Sequence, residues 1–287
     1  MAQYNYISID QANAFKAKQF RDYPHPQLEQ IRKLGMDISK HNGDVDFNLI
    51  KKAGVSFVIL RAGYGKSASQ KDSKFEVNYK KAKEAGLDVG AYWYSYAEST
   101  AEVEQEAEAC LSVISGKKFE YPIYFDLEEA RQFKIGSIFC TNIVNLFCDM
   151  LENNGYFAGL YMSRSPMTTY ISPETRKKYA LWVAQYSSKC TYPDAYGMWQ
   201  FTPNGLLMGH NVWFDLNDCF VDYPSIMKSR GLNGYEKPKP TAENKKEDAY
   251  RYMAVADIFD TYDEALNKVR EIEKEHPNAC VKKIRKT

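Results

Sequence analysis

An α/β fold, specifically an irregular TIM-like β/α barrel with fewer helices than strands, is what this 287-residue sequence predicts. Three observations lead there. Between about residues 35 and 229, short apolar runs of strand length alternate with amphipathic stretches of helical period. Gly54, Gly86 and Gly155 each sit where a helix should end and the next strand begin. The strand-like runs number eight, enough to close a barrel, and the later ones follow one another with little helix between them.

The elements read in order as follows. Gly35–Ser39 is the first strand, and Phe47–Ala53 is a helix stopped by Gly54. Val55–Ala62 is the second strand, followed by a helix over Phe75–Ala85. Leu87–Tyr94 and Tyr121–Leu127 are the third and fourth strands, separated by a helix over Thr100–Ser115. A helix over Ser137–Asn154 leads to the fifth strand, Tyr156–Met162. Tyr179–Gln185, Tyr196–Phe201 and Val212–Asn217 complete the set. An open doubly wound sheet is the competing architecture. No GxGxxG or GxxxxGK[ST] follows any of these strands, so nothing supports a nucleotide site.

The barrel spans residues 35–230 and has flanks. Residues 1–34 form an N-terminal extension with a helix near Asp10–Phe20 and a break at Tyr23-Pro24-His25-Pro26. Residues 231–248 are rich in Pro, Lys, Glu and Asn without apolar periodicity, and read as a linker. Residues 249–287 read as a small C-terminal βαβ module: strand Tyr250–Ile258, helix Tyr262–His276 and strand Ala279–Ile284. At about 40 residues it lies near the lower limit for independent folding, so docking or self-association is expected of it.

Charge excludes several partners. Lys+Arg is 38 against Asp+Glu 37, a net charge of +1. Nucleic acids and anionic membranes select strongly basic surfaces, so neither is expected here. The longest apolar runs, such as Val55–Leu60, are too short to span a bilayer, and membrane insertion is not expected. The opening MAQYNYISID shows no secretory signal. Six cysteines are scattered with no CxxC pair, which fits buried free thiols. Four histidines without clustering give no metal site, and no cofactor is expected. Tyrosine is the commonest aromatic, at 22 residues, and its flat face with a hydroxyl suits surfaces that grip wet ligands such as sugars.

The sharpest chemical feature is Tyr121-Pro122-Ile123-Tyr124-Phe125-Asp126-Leu127-Glu128-Glu129. Strand alternation sends Ile123, Phe125 and Leu127 to the helix layer. Tyr124, Asp126 and Glu128 then point into the barrel at the C-terminal end of the strand, where barrel active sites are built. Two carboxylates on one face repel when both are ionised, so one should hold a proton near neutrality. A protonated acid beside an ionised one is what glycosidic cleavage requires.

Two more acids take similar places: Asp37 on the first strand and Asp215 on the last, which are neighbours in a closed barrel. Arg61 ends the second strand and is placed to pair with a pocket carboxylate. Tyr94, Tyr161, Trp182, Trp199 and Gln200 lie near other strand ends and would give an aromatic lining.

These residues, over about Gly35–Met227, resemble the glycoside hydrolase family 25 lysozymes, the muramidases of phage endolysins and bacterial autolysins. The matching stretches are GMDISKHNGDVDF, IKKAGVSFVILRAGYG, FEVNYKKAKEAGLDVGAYWYSYA, YPIYFDLEE, LWVAQY, MWQF and VWFDLND, in the expected order. The resemblance implies hydrolysis of the β-1,4 bond between N-acetylmuramic acid and N-acetylglucosamine in peptidoglycan. It implies Glu128 as general acid, Asp126 as its partner, Asp37 and Asp215 as supporting acids, and Arg61, Tyr64, Tyr94, Tyr161, Trp182 and Gln200 as cleft lining. It also implies action on the cell wall. With no secretory signal visible, cytoplasmic synthesis followed by release, as for an endolysin, is the matching expectation. Two departures stand out: Trp93 where the family often shows His, and the extension over residues 1–34.

Residues i and i+2 of a strand lie about 6.6 Å apart at Cα. That leaves the carboxyl separation between the retaining distance of about 5–5.5 Å and the inverting range of about 6.5–9.5 Å. Spacing alone does not choose the stereochemistry, and attack by the substrate's own N-acetyl oxygen is a third route. Two alternative functions remain: an inactive peptidoglycan-binding barrel, which the presence of all four acids disfavours, and a chitinase-like hydrolase. The latter carries DxxDxDxE, whereas Tyr121 and Tyr124 stand here. The C-terminal piece resembles half of a SPOR-type peptidoglycan-binding module, which implies wall binding or self-association.

Overall fold

The computed structural model describes residues 32–206, 210 and 212–238. The N-terminal extension, most of the linker and the C-terminal module lie outside the described residues. The chain divides into two units at Lys237/Pro238, and every element described below belongs to the first.

Eight strands close into one barrel in sequence order. They are β1 (Lys33–Ile38), β2 (Phe57–Tyr64), β3 (Asp88–Tyr94), β4 (Ile123–Asp126), β5 (Ala158–Ser163), β6 (Ala180–Ala184), β7 (Met198–Gly205) and β8 (Phe214–Cys219). All eight fall on the expected runs. Neighbours from β1 to β7 are parallel. β8 is antiparallel to both β7 and β1. No helix separates β7 from β8 among the described residues, and a hairpin connection can only reverse the strand.

The expected helices are present as α1 (Phe47–Lys52), α2 (Phe75–Glu84), α3 (Thr100–Ile114) and α5 (Ser137–Asn153). Four short ones were not foreseen: α4 (Ala130–Ile135), α6 (Arg164–Tyr170), α7 (Pro173–Lys178) and α8 (Tyr223–Arg230). Caps explain the starts. Asp46 accepts from the Asn48 and Leu49 amides, and Ser99 from that of Glu102. Gly54, Gly86 and Gly155 all have positive φ after their helices, a conformation open to glycine at little cost.

Two apolar layers result from strand alternation. The outer one lies between barrel and helices and includes Val58, Leu60, Ile123, Phe125, Leu160 and Val183. Phe125 stacks on Phe147 of α5 at 4.3 Å. The inner one fills the barrel. Phe57 stacks on Tyr121 at 4.2 Å towards one end, and Trp182 meets Tyr124 and Tyr161 at 5.2 and 4.4 Å above them. Gly159 leaves room for this filling, since a Cβ there would stand 2.4 Å from the Tyr124 ring. The barrel is therefore a packed core with an open top, not a pore.

The stretch expected as linker begins with residues that pack on the barrel. Asn233 is fully buried. Its Oδ1 accepts from the Phe157 amide at 2.7 Å and its Nδ2 donates to the Tyr121 carbonyl at 2.8 Å. These bonds satisfy main-chain groups at the strand starts, which would otherwise be orphaned. The barrel unit thus runs past residue 230. The five described cysteines, Cys110, Cys140, Cys148, Cys190 and Cys219, are buried and unbridged.

Candidate active site

Register builds the site. Tyr94 pairs with Asp126 and Asp126 with Tyr161, so three adjacent strands end at one level. Asp37 pairs with Asp215 across the β1–β8 seam. Because β8 runs backwards, its beginning reaches the rim where the other strands finish. The four acids therefore gather at one mouth.

Asp126 is 3% exposed, and its Oδ1 has no hydrogen-bond partner among the described residues. Burial drives its carboxyl well above the usual range, the Glu128 and Asp37 charges add to this, and the Arg61 cation opposes them. Glu128 lies just beyond, open to solvent at the mouth. Its carboxyl is raised to about 7, first by desolvation and then by Glu129 and Asp215. Asp37 is 7% exposed and also raised well above its ordinary value, by burial and then by Asp215. The Asp37 and Asp215 side chains interact directly, and burial is the first cause that raises both carboxyls.

A chain of side-chain amides and phenols fixes this pair. Asp37 Oδ2 accepts from Gln200 Nε2 at 2.9 Å and from Asn217 Nδ2 at 2.8 Å. Gln200 Oε1 accepts from Tyr161 at 2.9 Å and Tyr186 at 3.0 Å, while Asn217 Oδ1 accepts from Trp182 Nε1 at 2.8 Å. On the opposite side, Tyr94 donates to Glu129 Oε1 at 2.8 Å. Tyr64 lies under the Arg61 guanidinium at 5.9 Å and meets Tyr96 edge-on at 6.0 Å.

Arg61 does not pair with any of the four acids. It holds Asp72, its Nε and Nη2 both 2.6 Å from Oδ2. Asp72 is buried, and its carboxylate also accepts from the Lys40 and Lys74 amides. Arg61 reaches Asp126 through its field alone. Trp199 is not part of the mouth: it packs with Phe201 in the outer layer, and its Nε1 donates to the Gln185 carbonyl. Trp93 is likewise turned outward, with Nε1 donating to the Gly65 carbonyl at 2.9 Å. Sequence reading missed Asn217, Tyr186 and Glu129. Asn217 had a usable signal, since it stands two residues after Asp215 on the same face.

Such a mouth, with a buried carboxylate beside a solvent-reachable acid titrating near neutrality, suits acid-assisted cleavage of an acetal bond. The model of glycosyl hydrolases family 25 matches residues 36–210, well over half of the sequence. The chain belongs to that family. The family 25 barrel is 31% identical over 185 residues to the autolytic lysozyme of Clostridium acetobutylicum, covering 64% of this chain and 55% of the relative. It thus spans about half the length of that curated protein. Among solved structures it resembles the CTP1L endolysin, with a TM-score of 0.60 and 23% identity, covering 78% of this chain and 80% of that one. It also resembles the modular autolysin LytC of Streptococcus pneumoniae, solved with a synthetic peptidoglycan ligand, with a TM-score of 0.58 and 27% identity, covering 65% and 46% of the two chains.

Proposed function

We propose that this family 25 chain is a lysozyme of the N-acetylmuramidase type. It cleaves the β-1,4 bond between N-acetylmuramic acid and N-acetylglucosamine in bacterial peptidoglycan. The observation that carries the reading is the pairing of Asp126, buried with Oδ1 unpartnered among the described residues, with Glu128, raised to about 7 at the open mouth. The lysozyme and autolysin relatives support it.

Glu128 donates its proton to the glycosidic oxygen as the bond to the anomeric carbon breaks. The N-acetyl oxygen of the same sugar attacks that carbon from the opposite face and forms a cyclic cation. The ionised Asp126 carboxylate stabilises the cation, its negative charge facing the positive charge that develops beside it. Water then attacks, Glu128 takes its proton, and the configuration is retained. Asp37, Asp215, Gln200 and Asn217 hold the mouth's shape and charge. Tyr64, Tyr94, Tyr161 and Trp182 line the sugar's path.

The partner is the glycan strand and the site of action is the wall. Segment 249–287 is assigned to wall binding or self-association. Removal of residues 239–287, which leaves Asn233 in place, is expected to weaken wall binding or reduce the oligomeric state.

Mass spectrometry of digested peptidoglycan tests the bond assignment. Muramic acid at the new reducing end is expected. Glucosamine there would make the enzyme a glucosaminidase. An inverted first-formed anomer, read by NMR, would rule out the N-acetyl-assisted route.

A further inference from the structure

Trp213 is 56% exposed. A lone exposed aliphatic residue is ordinary, but an indole left in water beside a cleft is a large apolar face, and it has no ring partner among the described residues. Alternation tells which way it points. Phe214 is buried in the outer layer, with His210 edge-on at 5.3 Å. Asp215 and Asn217 face the mouth. Trp213 immediately precedes β8, and continuing the strand's alternation by one residue puts it in phase with them, about 6.6 Å outward from Asp215 at Cα.

The platform is held. Asn42 Nδ2 donates to the Trp213 carbonyl at 3.3 Å, and Asn42 Oδ1 accepts from the Ser39 amide at 2.9 Å. Ser39 follows β1, two residues beyond Asp37. One amide side chain therefore ties Trp213 to the strand carrying an acid of the mouth. The rim continues from this turn: the Lys40 ammonium lies 5.8 Å from the Tyr64 ring, and Tyr64 meets Tyr96. Aromatic faces thus flank the acids on the β8 side and on the β2–β3 side.

We propose that Trp213 is a stacking platform for a glycan sugar lying beyond the two that flank the cleaved bond. This rests on the muramidase reading and adds a specificity determinant to it. A pyranose packs its C–H face on an indole while its hydroxyls stay in water, and the indole N–H offers a donor. The main chain that carries the indole is already held, so binding need not order this turn. Longer strands then bind more tightly than short ones, which favours attack within intact wall.

The test compares affinity against chain length. Peptidoglycan-derived glycans of increasing length are titrated by calorimetry into the Glu128→Gln protein and into Glu128→Gln/Trp213→Ala. Loss of the indole is expected to weaken strands long enough to reach it about tenfold, and the shortest binding strand by less than twofold. Phe at the same position, through Trp213→Phe, should recover most of that loss. Equal weakening at every length, or no weakening, would overturn the platform. If the length-dependent loss appears but the wild-type enzyme cleaves no wall glycan, the muramidase reading falls and the platform stands.

Discussion

Asp37 and Asp215 stand opposite each other in register where β1 and β8 close the barrel, and burial raises both carboxyls above their ordinary range. The reversal of β8 makes this meeting possible. Had β8 run parallel, its early residues would lie at the barrel's other end.

The charge on Asp37 is felt by Asp126 and raises its pKa. Removing a neighbouring anion favours ionisation, so Asp37→Asn should lower the pKa of Asp126. If ionised Asp126 is the working form, the acid limb of kcat/KM against pH moves to lower pH. A limb that stays in place in this variant contradicts the coupling.

Glu129 acts on the other limb. It is the second cause of the raised Glu128 pKa, after desolvation. Glu128 must be protonated to act as acid, so activity should fall as pH rises through about 7. Glu129→Gln removes an anion, lowers the Glu128 pKa and moves this basic limb to lower pH. The pH profile of the variant decides it.

Stability should report the same crowding. The folded state raises the Asp126 pKa, so its contribution is most favourable at acid pH and is lost as pH rises above the unfolded value of about 3.9. Asp126→Asn abolishes that loss. The variant's Tm relative to wild type is expected to increase between pH 4 and pH 8 while activity drops about 10²- to 10³-fold. A pH-independent difference in Tm would count against a strained buried carboxylate.

Asn233→Ala tests where the barrel ends. It orphans the Phe157 amide and the Tyr121 carbonyl, each costing about 1–3 kcal/mol. Urea unfolding should show a loss of that order. A change below about 0.5 kcal/mol would mean that residues after 230 contribute nothing to the barrel.

Much of this was legible in the chain because two periods survive in it. Ile123, Phe125 and Leu127 alternate with Tyr124, Asp126 and Glu128, which fixes face and phase from residues alone. Long helices announced themselves through apolar stripes and the glycines after them. The short helices did not. α7 and α8 begin at or next to a proline, Pro173 and Pro224, and last fewer than three turns, too short for a stripe. Asn233 was unreadable because its burial depends on main-chain groups over 70 residues away. The ion-pair partner of Arg61 was unreadable for a similar reason: Asp72 lies after β2 in a loop with no pattern of its own. Trp199 was assigned to the mouth by proximity to a strand end, although its neighbour Gln200 has the inward phase.

The most direct single measurement is the rate of peptidoglycan clearing by Glu128→Gln beside wild type, at matched folded concentration. If Glu128 donates the hydrogen, the substitution should cost about 10²- to 10⁴-fold in kcat while strand binding persists. A variant that clears walls within a few-fold of wild type would contradict that assignment.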